Sequence, residues 1–220
     1  LTTSVRQTLT DHTGRLWIGT YNYQGMFVVS NNDTHGSSFV RLLNEDDDPY
    51  SLICQRIRWI SEDKQNNIWI GTEDGLNKLP KTKDFEQFKY MPARKYSLGG
   101  RVVSSIYEGR SNFLWVGFGG NGFDKIDLQT NQITHFKNGS PGSNTLNVSD
   151  VISLIEDREG IIWIGTNSGG LNRYNTKTNS FKSYMANSKN PHSIKSNWVQ
   201  QVLETSDGQL FLAMAVYEGA

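Results

Sequence analysis

Several features that would indicate other classes of protein are scarce in this 220-residue sequence. Cys54 is the only cysteine, so the chain can form neither an internal disulfide nor a cysteine-rich metal cluster. Basic and acidic residues both number 22, which leaves no net charge to attract nucleic acid or an anionic membrane. No apolar run approaches the roughly 20 residues that span a bilayer, and the sequence contains no charged-then-apolar signal peptide. We therefore expect no nucleic-acid partner and no direct membrane contact.

Aromatic residues are plentiful by contrast, and many of them recur in register. A pentapeptide with a central aromatic residue returns through the chain as Leu-Trp-Ile-Gly-Thr or a variant of it. The aromatic centres follow one another at distances of 52, 46, 48 and 48 residues, and this regularity indicates an internal repeat. The copies are Leu16–Thr20, Ile68–Thr72, Leu114–Phe118, Ile162–Thr166 and Leu210–Met214.

Each pentapeptide lies within a repeat whose pattern predicts four short strands, a to d, joined by turns. Strand b, the pentapeptide, is apolar at three consecutive positions, whereas a strand with one wet face alternates. Both of its faces therefore need cover, which neighbouring blades supply in a propeller. We expect the glycine of each pentapeptide to leave room for an indole of the adjacent blade. The predicted fold class is all-β, a β-propeller segment of four-stranded antiparallel blades.

The repeat phase divides the chain into four complete blades and about half of a fifth. The fifth repeat stops after its second strand, and the start of the sequence has no spare strands to complete it. We therefore expect an incomplete ring that is a piece of a larger propeller, and the remainder of that propeller is its first predicted partner. The predicted blades are 1–54, 55–100, 101–148, 149–196 and the incomplete 197–220.

An aspartate six residues before the tryptophan recurs as Asp11, Asp63 and Asp157, and it is the obvious candidate for catalysis. We interpret it as structural, because a carboxylate beside a turn caps backbone N–H groups. Identical positions in successive units also fail to provide the unequal environments that a catalytic pair requires. No catalytic residue is predicted. Two alternative functions stay open: a propeller glycosidase or lyase, which needs two carboxylates facing one cleft, and a protein-interaction scaffold.

Metal and cofactor sites have weak support in the sequence. The four histidines are far apart and lack metal-ligand spacing. The acidic run 45–48 could supply calcium ligands, but it lacks the spaced pattern of calcium loops, so we interpret it as a solvated loop. No glycine-rich phosphate loop is present. We predict no metal and no cofactor.

Residues 157–174, DREGIIWIGTNSGGLNRY, resemble the two-component regulator propeller repeat almost position for position. Its pattern is a short strand, an aspartate, a glycine turn, Leu-Trp-Ile-Gly-Thr, Gly-Leu-Asn-Arg-Tyr and an outer strand that ends in an aromatic residue. A Ser-Leu or Ser-Ile pair also precedes new blades, as at residues 51–52, 97–98 and 193–194. The resemblance covers the whole chain and is weakest in the first and last repeats.

This resemblance implies the periplasmic sensor region of a hybrid two-component system of the Bacteroidetes type. In that family, propellers and a small β-sandwich precede one membrane helix and a histidine kinase, and the ligands are typically oligosaccharides. The resemblance therefore implies a non-catalytic segment that senses an oligosaccharide and signals to transcription through the kinase. It also implies the downstream sensor domains as partners, and it leaves open whether the chain forms a homodimer.

Residues that vary between blades are better candidates for ligand binding than those that repeat. Those in the b–c turns and just before strand a combine flat aromatic faces with directional donors and acceptors, as sugar recognition requires. Their arginines could pair a uronate or a sulfate bidentately. The candidate ligand-binding residues are Tyr21, Tyr23, Arg56, Glu73, Asp74, Arg101, Asn121, Asp150, Asn167, Asn197, Trp198 and Tyr217.

Overall fold

A computed structural model of the chain describes residues 4–30, 39–81, 84–139 and 144–215. Within these ranges the secondary structure consists of 18 β-strands. The described residues include no helix that is long and apolar enough to cross a membrane. The chain divides into two compact units, each larger than one repeat. The first unit is residues 1–106 and the second unit is residues 107–220.

The first unit contains two complete antiparallel sheets in which the strands pair in chain order. The strands of the first sheet are β1 (Val5–Thr10), β2 (Leu16–Thr20), β3 (Met26–Val29) and β4 (Phe39–Leu42). Those of the second sheet are β5 (Ile57–Glu62), β6 (Ile68–Thr72), β7 (Gly75–Leu79) and β8 (Glu86–Phe88).

The third sheet begins with β9, within which the boundary between the two units falls, and two further sheets follow it. The strands of the third sheet are β9 (Val103–Glu108), β10 (Phe113–Phe118), β11 (Gly122–Asp127) and β12 (Ile133–Phe136). The fourth sheet consists of β13 (Val151–Glu156), β14 (Ile161–Thr166), β15 (Leu171–Asn175) and β16 (Ser180–Tyr184). The fifth sheet has two described strands, β17 (Trp198–Glu204) and β18 (Leu210–Ala215).

The chain is therefore an unclosed β-propeller segment of four-stranded antiparallel blades, as the repeat predicted. The residue boundaries predicted between blades stay a prediction. Strand b is buried in the second sheet, where the side chains of Ile68, Trp69 and Ile70 of β6 are at most 2% exposed, whereas Phe211 of β18 in the fifth sheet is 57% exposed. Each such buried side chain contributes about 1.5–3 kcal/mol by its removal from water.

Each unit has its own hydrophobic core between its sheets. In the first unit, Trp17 and Met26 of the first sheet pack with Ile57, Ile60 and Ile70 of the second. The second unit has two hydrophobic clusters, and the larger one contains the aromatic residues Trp115, Phe123 and Tyr174, against which Phe136 and Phe181 pack. Phe123 and Phe136 stack with ring centroids 4.7 Å apart, and Tyr174 and Phe181 with centroids 4.6 Å apart.

The glycine of the pentapeptide is required by the close approach of the next sheet. A Cβ built on Gly19 would lie 2.6 Å from Cγ2 of Ile57, and one built on Gly71 would lie 2.6 Å from Cγ1 of Val103. Contacts this short do not occur between real side chains, so only glycine fits. The expectation that an adjacent indole fills this space was wrong: the neighbour is a β-branched residue of strand a.

The recurring aspartate binds both the turn and the tryptophan of its own sheet. In the second sheet, Oδ1 of Asp63 accepts the backbone N–H groups of Gln65 (3.0 Å) and Asn67 (2.8 Å). Its Oδ2 accepts the indole N–H of the buried Trp69 at 2.8 Å. The capping role predicted for this carboxylate is confirmed, whereas its bond to the indole was not predicted. We call this arrangement the aspartate lock.

The same lock occurs in the first and fourth sheets. Asp11 accepts the indole N–H of Trp17 at 2.8 Å, and Asp157 accepts that of Trp163 at 2.7 Å. Burial by itself would raise the pKa of Asp11. Hydrogen bonds from Thr13, Trp17 and Arg15 to the ionised carboxylate outweigh that effect and hold the pKa well below its usual 3.8.

The third sheet lacks the lock because Gly109 replaces the aspartate. Within the described part of the chain, the indole Nε1 of Trp115 has no hydrogen-bond acceptor. A Cβ built on Gly109 would lie 2.9 Å from that nitrogen and 2.6 Å from Oε2 of Glu156. The carboxylate of Glu156, from the fourth sheet, therefore lies beside the place that the aspartate has elsewhere.

Glutamates at the end of strand a join neighbouring sheets. Each of them accepts the backbone N–H of the residue that follows the lock position in the preceding sheet, with N–O distances of 2.8–3.0 Å. The pairs are His12 with Glu62, Arg110 with Glu156, and Arg158 with Glu204. Neighbouring sheets are thus connected by directional bonds as well as by apolar packing.

One buried position in the third sheet carries a charge where its counterparts in the second and fourth sheets carry an amide. Asp124 of β11 is 1% exposed, and it aligns in the repeat with Asn77 and Asn172. Its Oδ1 lies 2.7 Å from Nδ1 of His135 on β12. This hydrogen bond raises the pKa of His135 above its usual 6.5 and outweighs the opposing effect of burial.

Replacement of Asp63 tests the lock. We expect Asp63→Ala to lower the free energy of unfolding by about 2–4 kcal/mol, because a buried indole N–H and two turn amides lose their acceptor. Urea unfolding followed by circular dichroism measures this. Asp84→Ala, which removes an exposed aspartate between β7 and β8, should change stability by less than about 0.5 kcal/mol. Equal effects of the two substitutions would contradict the role of the lock.

Titration of His135 should make stability depend on pH. Its pKa is higher in the folded chain than in the unfolded chain, so the stabilisation is complete below about pH 6.5 and is lost as pH rises through the raised value. We expect the difference in unfolding free energy between the native chain and His135→Gln to shrink between pH 5.5 and pH 9. A difference that stays constant or grows with pH would contradict this assignment.

Candidate functional site

The candidate residues near strands a and b fall at one end of their sheets. The residue after strand b donates its backbone N–H to the carbonyl of the residue before strand a. The N–O distance is 3.3 Å from Glu73 to Arg56 and 3.1 Å from Asn167 to Asp150. We call these positions, together with the b–c turn beside them, the rim of each unit. The pairing is made by backbone atoms, so the side chains at the rim can differ from sheet to sheet.

In the first unit the rim gathers two arginines around one carboxylate. Nη1 of Arg56 lies 2.5 Å from Oε2 of Glu73. Arg58 binds the other oxygen, Oε1, through Nη2 at 2.5 Å and through Nε at 3.1 Å. The three side chains are between 17% and 27% exposed. Both oxygens of Glu73 are thus held by charge-assisted hydrogen bonds, which are the strong ones.

Two tyrosines of the first sheet lie against these arginines. The guanidinium carbon of Arg56 lies 4.3 Å from the ring centroid of Tyr21 and 4.8 Å from that of Tyr23. Arg58 lies 5.3 Å from the Tyr21 ring. All three distances fall within the range of cation–π attraction. We call Tyr21, Tyr23, Arg56, Arg58 and Glu73 the arginine–tyrosine cluster.

Tyr23 is exposed and has a strained backbone conformation, neither of which contributes to stability. Its ring is 63% exposed, and its φ of 56° is a left-handed value that is rare for a bulky side chain. Such backbone strain costs roughly 1–3 kcal/mol and is common at ligand-binding sites. The neighbouring Gly25 fixes the end of this turn, since its N–H binds the carbonyl of Gln55 at 3.1 Å.

Asp74 and Arg101 form a second ion pair beside the cluster. Oδ1 of Asp74 accepts Nε of Arg101 at 2.7 Å and Nη2 at 2.6 Å. Both side chains are largely exposed, so the pair contributes only about 0–1 kcal/mol. The two residues line a cavity of about 370 Å³, and its other lining residues are Lys89, Tyr90, Met91 and Pro92.

The rim of the second unit is polar and contains no cluster of this kind among its described residues. Nδ2 of Asn167 donates to Oδ2 of Asp150 at 2.8 Å. Asn121 is exposed in its turn. Asn197 holds the chain before β17, because its Oδ1 accepts the backbone N–H of Ala186 at 2.7 Å.

The remaining two candidates can be placed briefly. Trp198 is half-buried at the start of β17, where it pairs with Ala215 of β18. Tyr217 lies outside the described residues. The described residues contain no group of three or more histidine, cysteine, aspartate or glutamate side chains that could hold a metal.

Sequence reasoning missed Arg58, Lys89, Tyr90 and Met91. Arg58 is the second residue of strand β5 rather than a residue before it, and the signal that could have found it is a charged residue near the start of strand a. The other three lie in the loop between β8 and β9, which the repeat alignment marks only as a connection.

Part of the chain matches the model of a known protein family. Three segments match the model of the Two component regulator propeller family, residues 1–22, 51–74 and 145–168. The first two of them include Tyr21, Arg56, Arg58 and Glu73 of the cluster. Among curated proteins, Histidine kinase P4 of Formosa agariphila is 25% identical over 132 residues, which cover 54% of this chain and 9% of that protein.

Solved structures with the same fold include bacterial sensors and an enzyme. The extracellular domain of the putative one component system BT4673 from B. thetaiotaomicron aligns with a TM-score of 0.76 and 20% identity over 96% of this chain and 26% of that chain. That of the putative hybrid two component system BT3049 from B. thetaiotaomicron gives 0.66 and 20%, over 96% and 32%. A catalytically inactive virginiamycin B lyase from Staphylococcus aureus gives 0.68 and 14%, over 96% and 63%.

These structural likenesses establish the propeller fold, since identities of 20% and below carry no function by themselves. The chain spans less than a third of the two sensor domains and under a tenth of the kinase.

Proposed function

We propose that this chain, which carries the repeats of the two-component regulator propeller family, is a ligand-sensing segment of a membrane-bound hybrid histidine kinase. The ligand is an oligosaccharide, and its binding outside the cytoplasmic membrane signals to transcription. The family match and the likeness to extracellular domains of bacterial sensor systems support this proposal. The observation that carries it is the arginine–tyrosine cluster on the rim of the first unit.

The cluster has the chemistry that sugars require. A pyranose ring offers apolar C–H faces that pack on aromatic rings, and hydroxyl groups that need directional partners. The exposed side chain of Tyr23 supplies a flat face, while the neighbouring arginines supply hydrogen-bond donors. The ion pair of Asp74 and Arg101 extends the same rim with further hydrogen-bonding groups.

A non-catalytic role is supported by what the repeated carboxylates already do. Both oxygens of Asp11, Asp63 and Asp157 bind the turn and the indole of their own sheets, so these groups are occupied by structure. A glycosidase would need two opposed carboxylates in one cleft. The lyase with the same fold is only 14% identical to this chain.

Signalling requires that binding be coupled to a change elsewhere in the protein. A ligand shifts an equilibrium only when it binds one arrangement better than another. We propose that the arrangements differ in how this segment packs against the remainder of the propeller, the downstream sensor domains or a second copy of the chain in a homodimer. The kinase on the other side of the membrane would respond to that difference.

Binding of oligosaccharides to this chain, measured by isothermal titration calorimetry across a library of plant, algal and host glycans, tests the proposal. We expect at least one glycan to bind, and the double variant Tyr21→Ala/Tyr23→Ala to bind it about tenfold more weakly, because two aromatic contacts of about 0.5–1.5 kcal/mol each are lost.

The matched control is Tyr50→Ala, which removes an exposed tyrosine from a loop outside the cluster and should leave affinity unchanged. Binding that survives the double variant would exclude the cluster as the site. Release of shortened products from a polysaccharide would favour the enzyme instead.

A further inference from the structure

Glu73 is held at the rim in the way that a bound anion would be held. Each of its two oxygens faces a different arginine, at 2.5 Å from Arg56 and 2.5 Å from Arg58. Paired guanidinium groups around one planar carboxylate are the usual means by which proteins recognise carboxylates, sulfates and phosphates in a ligand.

The fold does not need this contact. The first and fourth sheets make the same backbone bond at this position with other side chains, Tyr21 donating to Ser4 at 3.0 Å and Asn167 to Asp150 at 3.1 Å. In neither of those sheets is the position occupied by a carboxylate between two arginines. The backbone bond at the rim therefore forms without the two arginines and the carboxylate. The ion pairs around Glu73 are an additional feature of the second sheet.

The charges of the cluster do not cancel. Arg56 and Arg58 carry two positive charges against the single negative charge of Glu73, whereas the adjacent Asp74 and Arg101 neutralise each other. With Glu73 displaced, two guanidinium groups would face solvent beside the exposed ring of Tyr23. Such a surface attracts an anion that also has an apolar face.

We propose that Glu73 is an internal placeholder for the anionic group of the ligand, so that the oligosaccharide bound here is carboxylated or sulfated. The ligand's anion takes the place of the Glu73 carboxylate between Arg56 and Arg58, and its sugar ring packs on Tyr23. The inference rests on the proposed function and narrows its ligand class.

Substitution of Glu73 by glutamine removes the competing charge and keeps the shape of the side chain. Calorimetry with uronate tetrasaccharides and sulfated tetrasaccharides, each beside its neutral methyl-esterified or desulfated counterpart, separates charge from sugar structure. We expect an anionic member to bind Glu73→Gln roughly three- to tenfold more tightly than the native chain, because an ion pair no longer competes. Which anionic series responds distinguishes a carboxylate ligand from a sulfate ligand.

Two further variants complete the test. Arg58→Gln should weaken binding of the same anionic member at least fivefold and binding of its neutral counterpart much less. Glu86→Gln makes an equal change of charge on β8 of the same sheet, away from the rim, and should behave like the native chain. Thermal unfolding of each variant confirms that the fold is retained.

Different failures have different meanings. If neutral members bind as tightly as anionic ones, or if Glu73→Gln and Glu86→Gln give equal affinities, the placeholder is wrong while the proposed function stands. If no oligosaccharide of either kind binds the native chain or the Glu73→Gln variant, the proposed function is wrong as well.

Discussion

In three sheets of this chain, one aspartate carboxylate accepts hydrogen bonds from two amides of the turn between strands a and b and from the indole N–H of the tryptophan in strand b. Burying a charge is costly unless its hydrogen-bonding capacity is filled, and here the turn and the indole fill it. The bonds fix how strand a pairs with strand b at one end of the sheet. At the opposite end, where the rim lies, the register of strands a and b shifts, as between Ile57 and Trp59 in the second sheet, and backbone bonds join the two strands whatever side chains they carry.

The lock and the rim lie at opposite ends of their sheets. The residues that repeat are therefore different from the residues of the candidate site. Asp63, Trp69 and Gly71 each contact neighbours of their own or the next sheet, and the same three residue types recur in the first and fourth sheets. The rim is joined through backbone atoms, so Arg56 and Glu73 can stand where another sheet has other residues. The side chains of the rim can therefore change while the scaffold stays the same.

Much of the fold could be predicted from the sequence because it depends on local patterns that recur. The apolar run of strand b predicted two covered faces, and the family resemblance of residues 157–174 is confirmed by the family match. The indole bond of Asp63 escaped prediction because it joins residues six apart through side-chain geometry. The same holds for Glu156, whose partner Arg110 belongs to another sheet.

The candidate site was predictable only in part for a similar reason. Tyr21 and Arg56 stood out as residues that vary in turns, but nothing in a sequence of repeats shows that Tyr21, from the first sheet, lies against Arg56 of the second. Arg58 was missed because strand a was taken as scaffold throughout. Contacts between side chains of different sheets depend on how the sheets pack. The position of a residue within a repeat does not show that packing.

Ligand binding should change the surroundings of the rim and leave the aspartate locks unchanged. Titration of isotopically labelled chain with an oligosaccharide that binds it, followed by NMR of side-chain N–H groups, tests this directly. We expect shifts in the Nε–H signals of Arg56 and Arg58, with the indole signals of Trp17, Trp69 and Trp163 unmoved. Shifted indole signals with silent arginines would contradict it.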